Sequence, residues 1–121
     1  MRPMAGIERK HVSEADEVAD YGELGDSARI TLGETGFGLA SESTVWVSRL
    51  RPGWSWKRNI GPDVPFDECP LHHREYVISG RIRYTAADGT SVEAGPGDHL
   101  VIEPGHLAEV VGDEECIVLD W

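Results

Sequence analysis

Short strand-like runs recur along most of this chain, with turn residues between them. Apolar and polar side chains alternate most clearly in residues 28–32, 44–50 and 81–85. Glycine, proline and aspartate separate the runs roughly every 8 to 12 residues, and the Asp88-Gly89 pair favours a tight hairpin. We find no long helical pattern. The arrangement predicts an all-β sandwich or barrel.

The length of the chain fits one domain. Its 121 residues and 13.3 kDa are enough for a single hydrophobic core. We expect residues 27–121 to form the β-barrel domain. Residues 1–26 have few apolar positions and are expected to form an arm or a short helix. Residues 13–19 begin with Ser13 and carry acids in the first turn, which is typical of a helix N-terminus.

Acidic residues dominate the second half of the chain. The net charge is −11, of which residues 1–58 contribute −1 (eight basic, nine acidic) and residues 59–121 contribute −10 (three basic, thirteen acidic). Such a surface repels phosphates and anionic lipids, which argues against nucleic-acid and membrane partners and favours metal cations or cationic partners. Solubility alone is the simpler explanation of the charge.

The location is predicted to be cytoplasmic. No apolar run reaches the roughly 18 to 20 residues that span a bilayer, and the first residues lack the apolar stretch of a secretory signal. Cys69 and Cys116 are the two cysteines. One bridge between them is conceivable, but two free thiols are expected in this setting.

Four residues with metal-binding side chains share one parity in the middle of the chain. Asp67, Cys69, His73 and Glu75 all lie at odd positions, so in an extended segment their side chains point to one side. In a barrel strand one side faces the interior, where unpaired ionisable groups are costly. A bound cation would remove that cost by accepting thiolate, imidazole and carboxylate ligands.

His106 completes the candidate metal site. It follows a proline-glycine turn, from which it can reach the same barrel mouth. We expect Cys69, His73 and His106 as core ligands, with Asp67 or Glu75 as a fourth. Mixed cysteine, histidine and carboxylate donors favour zinc, and iron, nickel and copper are also compatible. Glu75 and His106 are the candidate catalytic residues, because either can move protons beside a metal-bound water.

Each of these residues also has a simpler interpretation. Cys69 can be a small buried residue, and His73 a hydrogen-bonded interior histidine without a metal. His106 can be a turn residue, and Asp67 a solvated loop acid. Glu75 can form an ion pair with an arginine instead of acting as a ligand, acid or base.

Trp54, Trp56 and Tyr76 are the candidate walls of a small-molecule pocket. The two tryptophans lie at i and i+2, so they share one face of an extended segment. Flat apolar walls beside a few polar groups are typical of ligand pockets. Core packing and a dimer interface are the alternatives, since both also use aromatic side chains.

The segment from about residue 45 to the C-terminus resembles the cupins, a superfamily of small jelly-roll barrels. The spacing of the first cupin motif is matched by Asp67, Cys69, His73 and Gly80, although the ligand positions carry different residues. The chain resembles a group of small bacterial cupins with a C-x3-H first motif, a tryptophan-rich strand and a P-G-H second motif.

The second cupin motif is followed more loosely. Residues 97–108 contain the expected glycine and Pro104-Gly105, but Ala108 stands where the motif histidine normally lies, and His106 comes two residues earlier. The resemblance implies a single-domain cupin-type jelly-roll β-barrel and a site inside it, more than a particular reaction.

Two functions of different classes remain open. One is a metal-dependent enzyme acting on a small organic molecule, of isomerase, lyase, cyclase or oxygenase type. The other is a non-catalytic module that binds a small molecule or senses metal or redox state through Cys69. A metal-free binder is a third. We also expect a homodimer, because a second chain can cover a free sheet edge.

Overall fold

Antiparallel sheets make up most of the molecule. The computed structural model describes residues 7–33 and 43–121. The strands in these ranges are β1 (Glu17–Asp20), β2 (Gly25–Leu32), β3 (Ser43–Leu50), β4 (His73–Ser79), β5 (Arg81–Thr85), β6 (Ser91–Ala94), β7 (His99–Ile102), β8 (Leu107–Val111) and β9 (Cys116–Asp120). One short helix, α1 (Trp56–Asn59), and 3-10 turns at Val12–Glu14, Gly22–Leu24 and Gly61–Asp63 lie between them.

The strands form one large and one small sheet. The larger sheet has the order β1-β2-β3-β9-β4-β7, and the smaller has the order β6-β5-β8. The last strand, β9, lies between β3 and β4, so strands distant in sequence become neighbours. This arrangement confirms the prediction of an all-β, jelly-roll fold.

Alternation along the strands sends one set of side chains into the space between the sheets. In β4, Glu75 and Val77 are buried, whereas Arg74, Tyr76 and Ile78 are exposed. The core contains these buried side chains: Leu50, Trp54, Trp56, Cys69, Val77, Ile82, Tyr84, Ala94, Ile102, Val110, Cys116 and Val118. Burying this apolar surface between the sheets is the main stabilising contribution.

The predicted hairpin at Asp88-Gly89 is confirmed. It joins β5 to β6, and Gly89 has a φ of 89°. The Thr90 N–H donates to Asp88 Oδ1 at 2.9 Å, and the Ala86 N–H donates to the Thr90 carbonyl at 2.8 Å. A short acidic side chain and a glycine therefore supply the turn, as the sequence indicates.

The helix expected over residues 13–19 is not formed. His11, rather than Ser13, caps a 3-10 turn at Val12–Glu14, and Glu17–Asp20 is strand β1, paired with β2. The acids at the start of this segment mark a capped turn, and pairing with β2 makes its second half a strand. Residues 1–6 of the expected arm lie outside the described ranges, and the domain boundary at residue 26 stays a prediction, although β2 crosses it.

The extended segment expected over residues 54–56 is present at Ser55, and a turn of helix begins at Trp56. Ser55 has extended backbone angles, with φ −146° and ψ 153°, and forms a β-bridge with Glu109. Ser55 caps α1, and its Oγ accepts from the Arg58 N–H at 3.1 Å. Trp54 and Trp56 are nevertheless both buried, at 5% exposure each. The two buried tryptophans thus flank one extended residue, Ser55, as alternation predicts, and α1 begins at the second of them.

Within residues 7–33 and 43–121, no helix is long and apolar enough to cross a bilayer.

Candidate metal centre and adjoining cavity

His73 begins β4 and lies between a carboxylate and a thiol. Its Nδ1 is 2.5 Å from Asp120 Oδ2 on the neighbouring strand β9, and its Nε2 is 3.4 Å from Cys69 Sγ. Because an ionised carboxylate only accepts hydrogen bonds, Nδ1 donates to Asp120 and Nε2 faces the thiol. A histidine held at one nitrogen by a carboxylate is typical of metal sites.

Backbone pairing brings Cys69 beside His106. The Cys69 N–H donates to the His106 carbonyl at 2.9 Å, and the Gly105 N–H donates to the Cys69 carbonyl at 2.8 Å. His106 Nδ1 in turn donates to the Glu103 carbonyl at 2.7 Å. As with His73, the second ring nitrogen, Nε2, stays available for another partner.

Cys69, His73 and His106 thus converge. One ligand atom from each lies within 4.8 Å of the others, and Cys69 and His106 are buried while His73 is half-buried. In His73 and His106 the Nδ1 atom is already hydrogen-bonded, so Nε2 is the nitrogen left for a metal. Together with the thiolate of Cys69, these two nitrogens form a donor set that fits a divalent transition metal. The residues present are therefore suitable for holding such an ion.

Cys69 and His73 each stabilise the charged form of the other. Burial raises the pKa of the Cys69 thiol, but hydrogen bonds from His106 and His73 outweigh it and bring the pKa down to about 6. Burial lowers the pKa of His73, but the hydrogen bonds to Asp120 and Cys69 raise it to about 10. Without a metal the pair is a thiolate and an imidazolium, so a binding cation would displace the His73 proton.

Glu75 lies beside the donors as a second polar group. Tyr84 donates its hydroxyl hydrogen to Glu75 Oε1, and Glu75 Oε2 is 3.8 Å from His73 Nδ1. Burial raises the pKa of Glu75 to about 7; the Tyr84 hydrogen bond lowers it and Asp120 raises it. Burial also raises the pKa of Tyr84 well above its usual value, which keeps the phenol as a donor.

The donors and Glu75 open onto a cavity of about 540 Å³ between the two sheets. Trp46, Trp54 and Trp56 contribute flat apolar walls. The volume lies within the range of pockets that hold drug-sized molecules, about 300–1,000 Å³. The site therefore combines a cluster of ligating groups with space for a small organic molecule.

Not all predicted site residues reach this cavity. Trp54, Trp56 and Glu75 line it, as do the three donors. Asp67 is exposed and lies outside the donor group, because β4 begins only at His73 and the preceding loop does not preserve strand parity. Tyr76 is 40% exposed and points away from the cavity, since it alternates with the inward Glu75.

The structure adds two polar residues that the sequence argument missed. Asp120 and Tyr84 both line the cavity and contact the predicted residues directly. The sequence did contain a signal that both side chains point inward. Asp120 has the same parity as the buried Cys116 and Val118 on β9, and Tyr84 has the same parity as the buried Ile82 on β5. Their partners could not be identified from the sequence, because β9 pairs with β4, and β5 faces it from the other sheet, only in the folded structure.

Solved structures support the fold. The chain is similar to a structural-genomics protein of unknown function from Rhizobium leguminosarum bv. viciae 3841, with 19% identity, a TM-score of 0.56, and coverage of 94% of this chain and 93% of that chain. It is also similar to the S161A mutant of Bacillus subtilis oxalate decarboxylase, with 22% identity, a TM-score of 0.55, and coverage of 87% and 27%.

A second structure of oxalate decarboxylase, concerned with its Mn(II) centres, matches with 22% identity, a TM-score of 0.52, and coverage of 88% of this chain and 26% of that chain. This chain therefore spans about a quarter of the oxalate decarboxylase chain. No protein-family model and no curated protein sequence matches this chain. The fold and the neighbours together show a cupin-like jelly-roll fold, and Cys69, His73 and His106 form a candidate metal-binding group within it.

Proposed function

We propose that this chain binds a divalent metal ion through Cys69, His73 and His106 and uses it on a small organic molecule in the adjoining cavity. The observation that carries the proposal is the convergence of these three donors, within 4.8 Å of one another, at the wall of a cavity of about 540 Å³. Three protein ligands are typical of metal sites that keep a position for water or substrate.

Zinc is the metal that the donors favour. Thiolate and imidazole together suit zinc, and iron, nickel and copper are compatible with the same set. Manganese prefers oxygen ligands, and the thiolate of Cys69 argues against transferring the Mn(II) of oxalate decarboxylase to this chain. Asp120 would orient His73 on the ion, and the Glu103 carbonyl would orient His106.

Proton transfer is assigned to Glu75. When bound, the metal would polarise a substrate oxygen or lower the pKa of a water molecule. Glu75, with a pKa of about 7, exists in both protonation states near neutral pH, which suits a general acid or base. Tyr84 fixes the carboxyl group through Oε1. Because isomerase, lyase and cyclase reactions depend on such proton transfers, we favour them over an oxygenase.

His106 is better suited to holding the metal than to moving protons. Its Nδ1 donates to the Glu103 carbonyl, which leaves Nε2 as the ring nitrogen for the metal. A proton on Nε2 would remove a ligand from the site. We therefore assign His106 to the metal and Glu75 to acid-base chemistry.

Elemental analysis tests the metal site. Protein purified without added metal should contain about one equivalent, and the Cys69→Ala/His73→Ala variant should contain none. The matched control is Cys116→Ala/His72→Ala, which removes the same residue types outside the donor group and should retain the metal. No metal in the parent protein, or equal metal in both variants, would contradict the proposal.

A metal- or redox-sensing module is the second candidate function. It is favoured by the pKa of about 6 at Cys69, because a thiolate at neutral pH reacts readily with oxidants. A sensor should release its metal when one equivalent of hydrogen peroxide oxidises Cys69, detected as sulfenic acid by mass spectrometry. Unchanged metal content after this treatment would favour the enzyme.

A further inference from the structure

The cavity contains no basic side chain other than histidine among the described residues that line it. The lining includes the acids Glu75 and Asp120 and the histidines His72, His73 and His106, but no lysine or arginine. A carboxylate or phosphate entering this space would meet no guanidinium or ammonium partner among these described lining residues.

Away from the metal donors, the described lining consists mainly of apolar side chains and hydroxyl groups. Since burying an unpaired charge is far more costly than burying a neutral polar group, this part of the cavity disfavours anionic ligands.

A chain of hydroxyl groups forms another part of the cavity wall. Tyr21 Oη and Ser27 Oγ are 3.0 Å apart, and Ser27 Oγ and Ser48 Oγ are 2.8 Å apart. All three residues line the cavity. Three hydroxyls joined by two hydrogen bonds leave one O–H free to donate to a ligand.

Strand order separates this hydroxyl chain from the metal donors. Ser27 lies on β2 and Ser48 on β3, whereas His73 lies on β4, with β9 between β3 and β4. At about 4.8 Å per strand, the two polar ends are roughly 10–15 Å apart along the sheet. The apolar wall between them matches the length of a small ring system.

Trp54 adds a second unused donor near the hydroxyl chain. Its ring centroid is 5.8 Å from that of Tyr21, and the residue lines the cavity. Its indole Nε1 is buried and has no hydrogen-bond acceptor within the described part of the chain. Buried N–H groups in folded proteins nearly always have a partner, so an acceptor from a ligand is the simplest way to satisfy it.

We propose that the cavity takes an uncharged, mainly apolar molecule of one or two fused rings, whose hydrogen-bond acceptor lies at the Tyr21–Ser27–Ser48 hydroxyls and the Trp54 indole N–H. This inference deepens the proposed function, because it takes the Cys69–His73–His106 end as the reacting end and the hydroxyl end as the recognition end. Ligands bearing a carboxylate or a phosphate are excluded as the preferred class.

Three matched probes test the ligand class. 2-Acetonaphthone offers an uncharged carbonyl, 2-naphthoate is its anionic counterpart, and naphthalene has no acceptor. Isothermal titration calorimetry should give a Kd for the ketone at least about tenfold lower than for the naphthoate, because only the naphthoate buries a charge. Equal or tighter binding of naphthoate, or no binding of the ketone, would overturn the proposal.

Two variants test the recognition end. Trp54→Phe keeps a ring and removes the N–H, and Ser48→Ala removes a hydroxyl. Each should weaken ketone binding by about five- to tenfold, the usual effect of losing one hydrogen bond, while naphthalene binding changes less than about twofold. Trp46→Phe is the matched control and should change the Kd of the ketone and the Kd of naphthalene by the same factor. A similar loss for both probes in Trp54→Phe would indicate altered packing and refute the assignment.

The same samples separate this inference from the proposed function. The titrations are run on protein as purified, with its metal content measured, and again after chelation. A protein that prefers the ketone but contains no metal would refute the metal-dependent function alone. A protein that binds metal at Cys69, His73 and His106 but does not prefer the ketone would refute the ligand class alone.

Discussion

The two cysteines have opposite chemistry although both are buried. Cys69 lines the cavity, and the neighbouring imidazoles bring the pKa of its thiol to about 6 despite burial. Cys116 is 0% exposed, and burial raises the pKa of its thiol to about 12. One sulfur is therefore a thiolate facing a cavity, and the other is a packed apolar group.

This contrast predicts selective alkylation. In metal-free protein near neutral pH, iodoacetamide should modify Cys69 and leave Cys116 unmodified, because the thiolate is the reactive form. Added zinc should protect Cys69. Peptide mapping by mass spectrometry measures both sites, and Cys116→Ala serves as the control that should retain the full reaction. Modification of Cys116 in the native protein, or no protection by any of the candidate metals, would contradict the assignment.

Glycines at the strand turns differ in what surrounds them. Gly80 joins β4 to β5 with a φ of 71°, and a Cβ there would lie 2.5 Å from the Glu115 carbonyl oxygen. Gly89 joins β5 to β6 with a similar φ of 89°, but a Cβ would meet nothing within 4 Å. The β4–β5 turn therefore requires glycine both for its backbone conformation and for the close approach of the segment before β9.

We expect Gly80→Ala to lower the free energy of unfolding by about 3 kcal/mol or more, because strain and backbone overlap add. Gly89→Ala should lose only about 1–2 kcal/mol, the cost of the left-handed conformation alone. Urea denaturation followed by tryptophan fluorescence measures both. Equal losses of unfolding free energy in the two variants would mean that the backbone near Glu115 shifts at little energetic cost.

The N-terminal segment is attached to β2 through Asp16. Lys10 Nζ donates to Asp16 Oδ1 at 2.8 Å, and the Thr31 N–H donates to Oδ2 at 2.8 Å. The Lys10 hydrogen bond, followed by that from Thr31, lowers the pKa of Asp16 below 3.8. The stabilisation is therefore fully present above 3.8 and is lost as the pH falls through the lower pKa of the folded state.

Asp16→Asn should accordingly be less stable than the parent near neutral pH and equal to it in strong acid. Urea denaturation at both pH values measures the difference. Glu17→Gln removes an exposed ion pair with Arg29 and is the control, with little effect expected at either pH. A constant difference between parent and Asp16→Asn across the pH range would show that the charge of Asp16 does not contribute.

At the scale of the whole molecule, we propose that two copies of the chain associate through the outer face of β4 and β7. Ile78 and Val101 are 48% and 60% exposed on this face, and Tyr76 is 40% exposed beside them. Trp121, 47% exposed, stacks on His99 with ring centroids 5.4 Å apart. Because β7 is an edge strand, a second copy would cover both an apolar surface and a free edge.

Light scattering after size exclusion should then give twice the 13.3 kDa chain mass for the parent. Ile78→Asp should give the monomer mass, because a charge in the centre of the interface is poorly tolerated. Val92→Asp is the matched control, since Val92 is similarly exposed, at 51%, but lies on β6 in the smaller sheet. A monomeric parent, or dissociation by Val92→Asp alone, would contradict the interface.

Local patterns predicted much of the architecture. Alternation marked the strands around residues 28–32, 44–50 and 81–85, and the Asp88-Gly89 turn was identified from the backbone preferences of two residues. Parity placed His73 and Glu75 on the same inward side of β4. Such features depend on neighbours a few residues apart, so a sequence contains enough information to predict them.

Two predictions from local patterns differ from the structure, the inward placement of Asp67 and the helix over residues 13–19. The strand parity of β4 was extended back to Asp67, although the loop before β4 does not follow it. The helix prediction near Ser13 did not take into account that Glu17–Asp20 pairs with β2. In each case a contact with a distant segment, or its absence, outweighed the local preference.

The sequence by itself determined the alternation of buried and exposed positions, the turns, and which side chains have metal-binding chemistry. Only the tertiary structure placed Asp120 against His73, Tyr84 against Glu75, and Trp54 beside the Tyr21–Ser27–Ser48 hydroxyls. The reason is physical: these contacts depend on the insertion of β9 between β3 and β4 and on two sheets facing each other. Both are consequences of burying the whole core at once, which no local segment of the chain encodes.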